Sequence, residues 1–242
     1  MNMIKVTGDP GTSVRKFMEF PYIEQFAVLK KHGFKVLPYG VAGNENEAAH
    51  IAMKIGYPVA MKILSSEIEH KTDVGGVKVN IKNADALRIV YREIVDNAKT
   101  AGKRIDGILV QKMARKGIEL IIGGKKDAQF GHMIVLGLGG IYVEIFRDVT
   151  ARICPINRVE IEEMVCELKS HPLIDGARGA KPINRRALED IIMKACRMMA
   201  KEDFKELDLN PVIFDHSGCD IVDVRFATAA GRNIRSSVQN RG

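Results

Sequence analysis

Residues 59–80 read V-A-M-K-I-L-S-S-E-I-E-H-K-T-D-V-G-G-V-K-V-N, and this order of apolar and polar residues predicts a strand, a polar loop and a second strand. The first run carries one lysine, Lys62, whose amine needs a polar destination. The pair Gly75-Gly76 opens the second run, and glycine lets backbone N–H groups approach an anion closely. These features favour a phosphate site, although an ordinary hairpin whose lysine reaches water has the same pattern.

The composition is that of a globular protein with a sizeable core. The chain has 242 residues, of which 46% are hydrophobic and 28% charged. No apolar run reaches the roughly 18 to 20 residues that a membrane span needs, and the first residues lack a signal-peptide core. We therefore expect a cytoplasmic protein with no membrane partner. The cysteines contain no C-x-x-C pair, and we expect all four to be reduced: Cys154, Cys166, Cys196 and Cys219.

The net charge of +7 does not indicate a nucleic-acid-binding protein. The basic residues are spread along the chain among acidic ones, and no aromatic-basic module such as an RRM signature is present. A mildly cationic surface suits nucleotides, CoA or an acidic partner equally well. We expect no nucleic-acid partner.

Capping signals and apolar periodicity predict a mixture of helices and strands. Asn44 with Glu47, and Asn157 with Glu160, have the spacing of capping boxes that open helices. The strands between residues 105 and 156 follow each other too closely for helical crossovers, which favours an antiparallel sheet and the α+β class. Besides the helix opened at Asn157, the expected helices cover residues 21–32, 44–56, 84–101 and 184–202, and the expected strands outside residues 59–80 cover 34–37, 105–113, 118–122, 132–138, 141–145, 150–156, 207–214 and 220–226.

The last predicted hairpin contains a group of oxygen ligands. In L-D-L-N-P, Asp208 and Asn210 are two residues apart on a strand and are expected on one face, and Pro211 favours an extended Asn210. Asp223 interrupts the apolar alternation of the returning strand and can lie close to Asn210. Two carboxylates and an amide oxygen suit Mg²⁺ carrying nucleotide phosphates. A solvated polar face on an edge hairpin is the alternative.

Two further features of the strands suggest a nucleotide. Glu119 is an acid among apolar strand residues and needs a partner, which could be a metal, a lysine or a ribose hydroxyl. The preceding strand, I-L-V-Q-K-M, is a plausible hinge edge whose free backbone groups could bind adenine. Arg152 in T-A-R and Arg178 in G-A-R-G are candidates for contacts with phosphate or with a partner.

These motifs occur in the order found in ATP-grasp proteins. The forms E-H-K-T-D-V-G-G-V, Q-F-G-H-M-I-V-L-G-L-G-G-I-Y-V-E, D-G-A-R-G and L-D-L-N-P resemble the β subunit of ADP-forming acetyl-CoA synthetase, in the NDP-forming acyl-CoA synthetase family. The similarity covers about residues 20–227. It implies two α+β lobes with ATP in the cleft between them: residues 1–19 are then an N-terminal arm, 20–108 the first lobe, 109–228 the second lobe and 229–242 a C-terminal tail.

The resemblance also implies a reaction: acyl-CoA + ADP + phosphate ⇌ carboxylic acid + ATP + CoA. His70, in the loop of the quoted stretch, is implied as the phosphohistidine that carries the phosphoryl group between subunits, since a neutral imidazole is a competent nucleophile. No role follows for His132. The implied ATP/ADP-binding residues are Lys62, Gly75, Gly76, Val77, Val110, Gln111, Met113, Glu119, Arg152 and Arg178, and the Mg²⁺ ligands are Asp208, Asn210 and Asp223.

A partner subunit is expected as well. The sequence shows no G-x-G-x-x-G CoA-binding domain and no second glycine-framed catalytic histidine. The resemblance supplies both in an α subunit, as a separate chain or a fusion, with an α₂β₂ assembly. Two alternatives stay open: an ATP-grasp carboxylate ligase that works through acyl phosphate without phosphohistidine, and a nucleotide-binding regulatory subunit.

Overall fold

The computed structural model describes residues 18–19, 22–65, 67–68, 71–140 and 148–228, for which the fold is given below. The helices are α1 (Tyr22–Lys31), α2 (Glu45–Ile55), α3 (Ala84–Thr100), α4 (Arg158–Glu167), α5 (His171–Ile174) and α6 (Arg185–Glu202). The strands are β1 (Met18–Glu19), β2 (Tyr39–Ala42), β3 (Val59–Leu64), β4 (Val77–Ile81), β5 (Gly107–Lys112), β6 (Ile118–Asp127), β7 (Gly131–Leu138), β8 (Val149–Ile153), β9 (Glu206–Asp215), β10 (Gly218–Ile221) and β11 (Val224–Thr228). All strands that pair within the two sheets are antiparallel, as the sequence predicts for an α+β fold.

The chain divides into two compact units. The first contains Leu37–Ala114, and the second contains α1 and the chain from Arg115 onward. This division differs from the predicted lobes in two places. Strand β5, which the predicted boundary at residues 108 and 109 would cut, lies wholly in the first unit, and α1 groups with the second unit.

The first unit is a four-stranded sheet with the order β2-β5-β3-β4. Helices α2 and α3 bury their apolar residues against one face, where Met61, Ile63 and Val110 belong to the core. Asn44 caps α2 by accepting from the backbone N–H of Glu47 at 3.0 Å, and Gly56 ends that helix at φ 82°. The quoted stretch forms the predicted hairpin, because β3 pairs with β4.

The second unit is built on a larger sheet with the order β1-β11-β9-β6-β7-β8, and β10 pairs with β9 beside this path. Helix α6 covers one face: a Cβ on Gly124 in β6 would overlap the Met199 side chain of α6. Helix α4 opens with the predicted capping box, in which both the Asn157 and the Glu160 half are formed. We call the side of this sheet that carries Gly124 the helix face.

Strand β9 changes phase in its middle. Leu120 pairs with Val212 and Ile122 pairs with Leu209, so one residue of β6 is opposite two residues of β9, Asn210 and Pro211. Such a bulge shifts the alternation of faces by one residue. Leu209 and Val212 are consequently both fully buried, although they are three positions apart. The peptide bond between Asn210 and Pro211 is cis.

Two predicted strands need comment. Residues 34–37 do not form a strand: Val36 makes an isolated bridge to Ile221, and the strand begins after Pro38, at Tyr39. The reason is packing, because Gly40 lets β2 approach α2 so closely that a Cβ there would lie 2.9 Å from Cγ2 of Ile51. The strand predicted at residues 141–145 lies outside the described residues.

The prediction of four reduced thiols is wrong for one pair. Cys154, after β8, and Cys196, in α6, form a disulfide with their Cα atoms 5.7 Å apart. Their separation of 42 residues leaves no pattern in the sequence, so only the packing of α6 on the sheet reveals the pair. Cys166 is free and exposed, and Cys219 is also free.

Among the residues that the structure describes, none of the helices combines the length and the apolarity required to cross a bilayer.

Candidate functional site

Lys62 and Gln111 lie on the same face of the first unit's sheet. Ala60 pairs with Gln111 and Lys62 pairs with Leu109, so Lys62 and Gln111 are diagonal neighbours. The intervening Met61 belongs to the core under α2 and α3, which places Lys62 and Gln111 on the opposite face. Both are buried, at 6% and 1% exposure, and Nε2 of Gln111 has no hydrogen-bond partner in the described part of the chain. A buried amide of this kind can donate to a ligand.

The predicted role of the glycine pair needs correction. The N–H of Gly75 donates to the carbonyl of Thr72 at 3.0 Å, and that of Gly76 donates to the carbonyl of Lys71 at 2.7 Å. These groups close a turn and are already used. Steric reasons require glycine instead: Gly75 has φ +64°, and a Cβ on Gly76 would overlap the Ile63 side chain. The phosphate-binding role of both glycines, and of Val77 beside them, stays a prediction that these N–H groups do not support.

The hinge strand is not an edge. Strand β5 pairs with β2 on one side and with β3 on the other, and Val110 is fully buried in the core. Beyond its end, the N–H of Met113 donates to the carbonyl of Pro58 at 3.2 Å. The predicted contact of Val110, Gln111 and Met113 with adenine stays a prediction, and of these residues only Gln111 is seen with an unused polar group.

Asp208, Asn210 and Asp223 come together in the second unit. The N–H of Asn210 donates to the carbonyl of Asp223 at 3.3 Å, as the hairpin predicts. The Asn210 side chain hydrogen-bonds to the Asp208 carboxylate. The bulge and the break between β10 and β11 bring these three residues together.

The electrostatics of this group favour a cation. Burial, and to a lesser extent the charge of Asp223, raise the pKa of Asp208 to about 6 against the opposing effects of Arg225 and the hydrogen bond from Asn210. The charged form of Asp208 is therefore disfavoured in the folded protein, mainly because it is buried and also because Asp223 lies nearby. A divalent cation bound here would stabilise the charged carboxylates.

Two other acids share the face of Asp208. Glu206 is one of them: it pairs with Lys125 of β6, and Asp208 pairs with Gly123, so both acids lie on the side of these two β6 residues. Glu119 is the other, because every second residue of β6, from Glu119 to Lys125, lies on that same side. We call this side, which is opposite to the helix face, the carboxylate face. Glu119 is exposed, so the expectation that it needs a partner because of burial is wrong. Glycines enclose it, since a Cβ on Gly140 would lie 3.3 Å from Oε2 of Glu119.

Arg152 lies elsewhere. It pairs with Ile134, which in turn pairs with Gly124, so its position is on the helix face. There its guanidinium binds the carboxylate of Glu167 in α4. The structure thus separates Arg152 from the carboxylate face, and its predicted contact with nucleotide is not supported.

Two predicted residues fall outside what the structure describes. His70 is not among the described residues, and of Arg178 only the backbone, in a 3₁₀ turn at Ala177–Gly179, is described. Their roles stay predictions.

Tyr22 is a site residue that the sequence did not indicate. Its hydroxyl donates to Oδ1 of Asp223 from the first residue of α1, 201 positions away. In the sequence Tyr22 is one of several apolar residues at helical spacing, and no local signal distinguishes it.

The donor set fits Mg²⁺ bound together with a phosphate ligand. Among the described residues, no group of three or more His, Cys, Asp or Glu side chains could hold a metal alone. Mg²⁺ commonly uses one or two carboxylates with waters and substrate phosphates. Asp208, Asn210 and Asp223 supply two carboxylates and one amide, which matches that pattern.

Comparison with known proteins shows the family. The ATP-grasp domain model matches residues 19–227. The β subunit of ADP-forming acetate–CoA ligase I from Pyrococcus furiosus is 42% identical over 210 residues, which cover 85% of this chain and 90% of that protein. The chain belongs to the ATP-grasp family of ADP-forming acetate–CoA ligase β subunits.

Other members of this ATP-grasp family include longer chains. Acetate–CoA ligase [ADP-forming] I of Archaeoglobus fulgidus is 45% identical over 205 residues, which cover 84% of this chain but 30% of that protein. The chain therefore spans less than a third of the longer relative and most of the Pyrococcus subunit.

A solved structure agrees with the fold. The acetyl-coenzyme A synthetase 1 of Ca. Korarchaeum cryptofilum, in complex with coenzyme A and Ca-AMPCP, has a TM-score of 0.83 and 40% identity, covering 87% of this chain and 93% of that chain. In another structure of that synthetase, with coenzyme A and Mg-AMPPCP, a phosphohistidine segment points towards the nucleotide binding site.

Proposed function

We propose that this chain is the nucleotide-binding β subunit of an ADP-forming acyl-CoA synthetase, which catalyses acyl-CoA + ADP + phosphate ⇌ carboxylic acid + ATP + CoA. The observation that carries the proposal is the Asp208–Asn210–Asp223 group within a chain of this family. Its two carboxylates and one amide oxygen suit Mg²⁺ that carries nucleotide phosphates.

In this proposal His70 carries the phosphoryl group. In the direction of ATP formation, the N–P bond of phosphohistidine breaks as a terminal oxygen of ADP forms a bond to phosphorus, and the imidazole keeps the electron pair. Mg²⁺, when bound, neutralises charge on the phosphates. Asp208, Asn210 and Asp223 would hold the cation. The predicted nucleotide contacts of Lys62 and Gln111, which lie in the first unit, remain part of the proposal. The phosphohistidine segment of the Korarchaeum synthetase supports this assignment.

We further propose a partner that carries the CoA-binding domain. The name of the Pyrococcus relative, subunit β, and the longer Archaeoglobus chain support an α subunit, either separate or fused. An α₂β₂ assembly is the expected stoichiometry, and co-purification followed by mass measurement tests it.

The test of phosphoryl transfer uses [γ-³²P]ATP with Mg²⁺. We expect an acid-labile, base-stable label on the wild-type chain and none on His70→Ala. His216→Ala is the control, because His216 is exposed in the β9–β10 turn, and it should label like the wild type. Label that persists in His70→Ala contradicts the proposed role. An unlabelled wild type that forms hydroxamate from acid, ATP and hydroxylamine would favour a ligase working through acyl phosphate.

A further inference from the structure

The contact between Tyr22 and Asp223 joins the helix α1 to the candidate cation site. The phenolic hydroxyl donates to Oδ1 of Asp223, and the backbone carbonyl of Asp223 accepts from Asn210. One hydrogen bond therefore restrains the side chain of Asp223 and another restrains its backbone. A carboxylate with one oxygen held in this way has a defined orientation for its second oxygen.

Tyr22 itself is firmly placed. Its ring packs edge-on against Phe26, with ring centroids 5.2 Å apart and planes at 82°, and Phe26 is fully buried. The neighbouring Gln25 accepts from the N–H of Phe226 in β11 at 3.2 Å, which fixes α1 to the sheet. The hydroxyl is thus carried by a rigid element, as a precise hydrogen bond to a ligating group requires.

The chemistry of the phenol suits a permanent donor. A phenol carries one O–H donor, and an ionised carboxylate only accepts, so the hydrogen bond runs from Tyr22 to Asp223. Carboxylates that bind metals are commonly held by such outer hydrogen bonds.

We propose that Tyr22 is a positioning residue, whose hydroxyl orients the Asp223 carboxylate for the divalent cation that accompanies a nucleoside diphosphate or triphosphate. This inference rests on the proposed function for the identity of the ligand. Tyr22 lies outside the hairpin that contains Asp208, Asn210 and Asp223, and it is 201 positions away from Asp223.

The experiment compares metal binding with metal-free nucleotide binding in the full chain. Tyr22→Phe removes only the hydroxyl and keeps the ring that packs on Phe26. Mn²⁺ replaces Mg²⁺ as the probe, and its binding in the presence of ADP is measured by electron paramagnetic resonance. Binding of a fluorescent ADP analogue in EDTA gives the metal-free affinity. We expect the Kd for Mn²⁺ to rise about 10-fold or more and the metal-free affinity to stay within about twofold.

Tyr57→Phe is the matched control. Within the described residues the Tyr57 hydroxyl is buried without a hydrogen-bond partner, so its removal should change neither affinity. Three outcomes would overturn the inference: an unchanged Kd for Mn²⁺ in Tyr22→Phe, an equal loss of metal-free ADP binding, or no Mn²⁺ binding by the wild-type chain with ADP.

The binding assay is independent of phosphoryl transfer. If the wild type binds Mn²⁺ with ADP but His70 does not become labelled, the proposed phosphoryl transfer is contradicted. The role of Tyr22 is then still decided by the Mn²⁺ titration of Tyr22→Phe.

Discussion

The second unit contains two pairs of carboxylates that differ in how their charge is balanced. Asp215 and Asp220 both bind the guanidinium of Arg115, at 2.8 Å and 3.0 Å. For Asp208 beside Asp223, burial and mutual repulsion outweigh the attraction of nearby Arg225, and the pKa of Asp208 rises to about 6. Each pair thus has one arginine nearby, but Arg115 makes close ion pairs with both Asp215 and Asp220, whereas burial is the dominant influence on Asp208. Burial and direct pairing, more than the number of acids, distinguish the two clusters.

The largest expected difference between the pairs is in activity. Asp208→Asn and Asp223→Asn each remove a proposed charged ligand of the cation, and we expect the rate of ATP formation by the complex with its partner subunit to fall about 100-fold or more at saturating ADP. The matched variant Asp215→Asn should stay within about twofold of the wild type. Equal losses in all three variants would remove the distinction between the pairs.

The second expected difference is in stability. Arg115→Met leaves the buried carboxylate of Asp220 without its cation, and we expect the free energy of unfolding to fall by about 2 to 3 kcal/mol, with Tm lower by about 5 to 10 °C. Calorimetry measures both. Arg158→Met is the control, because Arg158 is largely exposed and makes one ion pair with Glu189, so it should cost less than about 0.5 kcal/mol. A small effect at Arg115 would mean that its network does not stabilise the fold.

The burial of Asp208 beside Asp223 should itself cost stability. Because the pKa of Asp208 is raised in the folded state, the folded protein binds more protons than the unfolded chain between about pH 4 and pH 6, and stability falls as the pH rises through this window. Asp208→Asn removes this penalty. We expect the metal-free variant to be about 1 to 2 kcal/mol more stable than the wild type near pH 8. Urea titrations should show no gain near pH 3.5, below both pKa values. A variant that is less stable near pH 8 would contradict the raised pKa.

The smallest expected effect has the opposite sign. Hydrogen bonds from Ser217, together with those from Arg115, hold the pKa of Asp215 well below its usual range. A lowered pKa stabilises the fold above the ordinary pKa of the unfolded chain, and this contribution is lost as the pH falls towards the lowered value. Asp215→Asn should therefore lower stability by about 1 kcal/mol near pH 7 and by progressively less in acid. A cost that does not depend on pH would show that shape, and not charge, matters at this position.

The sequence predicted those elements whose start or pairing depends on neighbouring residues, such as helix caps and hairpins. The caps at Asn44 and Asn157 marked two helix starts, and the apolar run around Lys62, followed by a polar loop and a second run, marked a hairpin. The strand at residues 34–37 was wrong because β-propensity does not reveal which segment finds a partner. Gly40, which allows β2 to pack on α2, decided the outcome.

The site was predictable only where its residues are close along one hairpin. Asp208, Asn210 and Asp223 belong to such a hairpin, and their proximity followed from strand pairing. The contact of Tyr22 with Asp223 could not be predicted in this way, because a contact across 201 positions depends on how α1 packs. The phosphate-binding role of Gly75 and Gly76 stays a prediction that their N–H groups do not support, since a sequence does not show whether a backbone N–H is already used in a turn.

The phase change in β9 has a consequence for protein engineering. Leu209, before the bulge, and Val212, after it, face the same side of the sheet only because Asn210 and Pro211 together lie opposite one residue of β6. If the undeleted strand paired without the bulge, Val212 and Phe214 would turn away from the helix face. Deleting Asn210 or Pro211 would instead leave both on that face, because Leu209 and Val212 would then be two positions apart. The extra residue therefore serves the turn that contains Asn210 rather than the apolar side of the strand, and grafts of this motif into other scaffolds must transfer it.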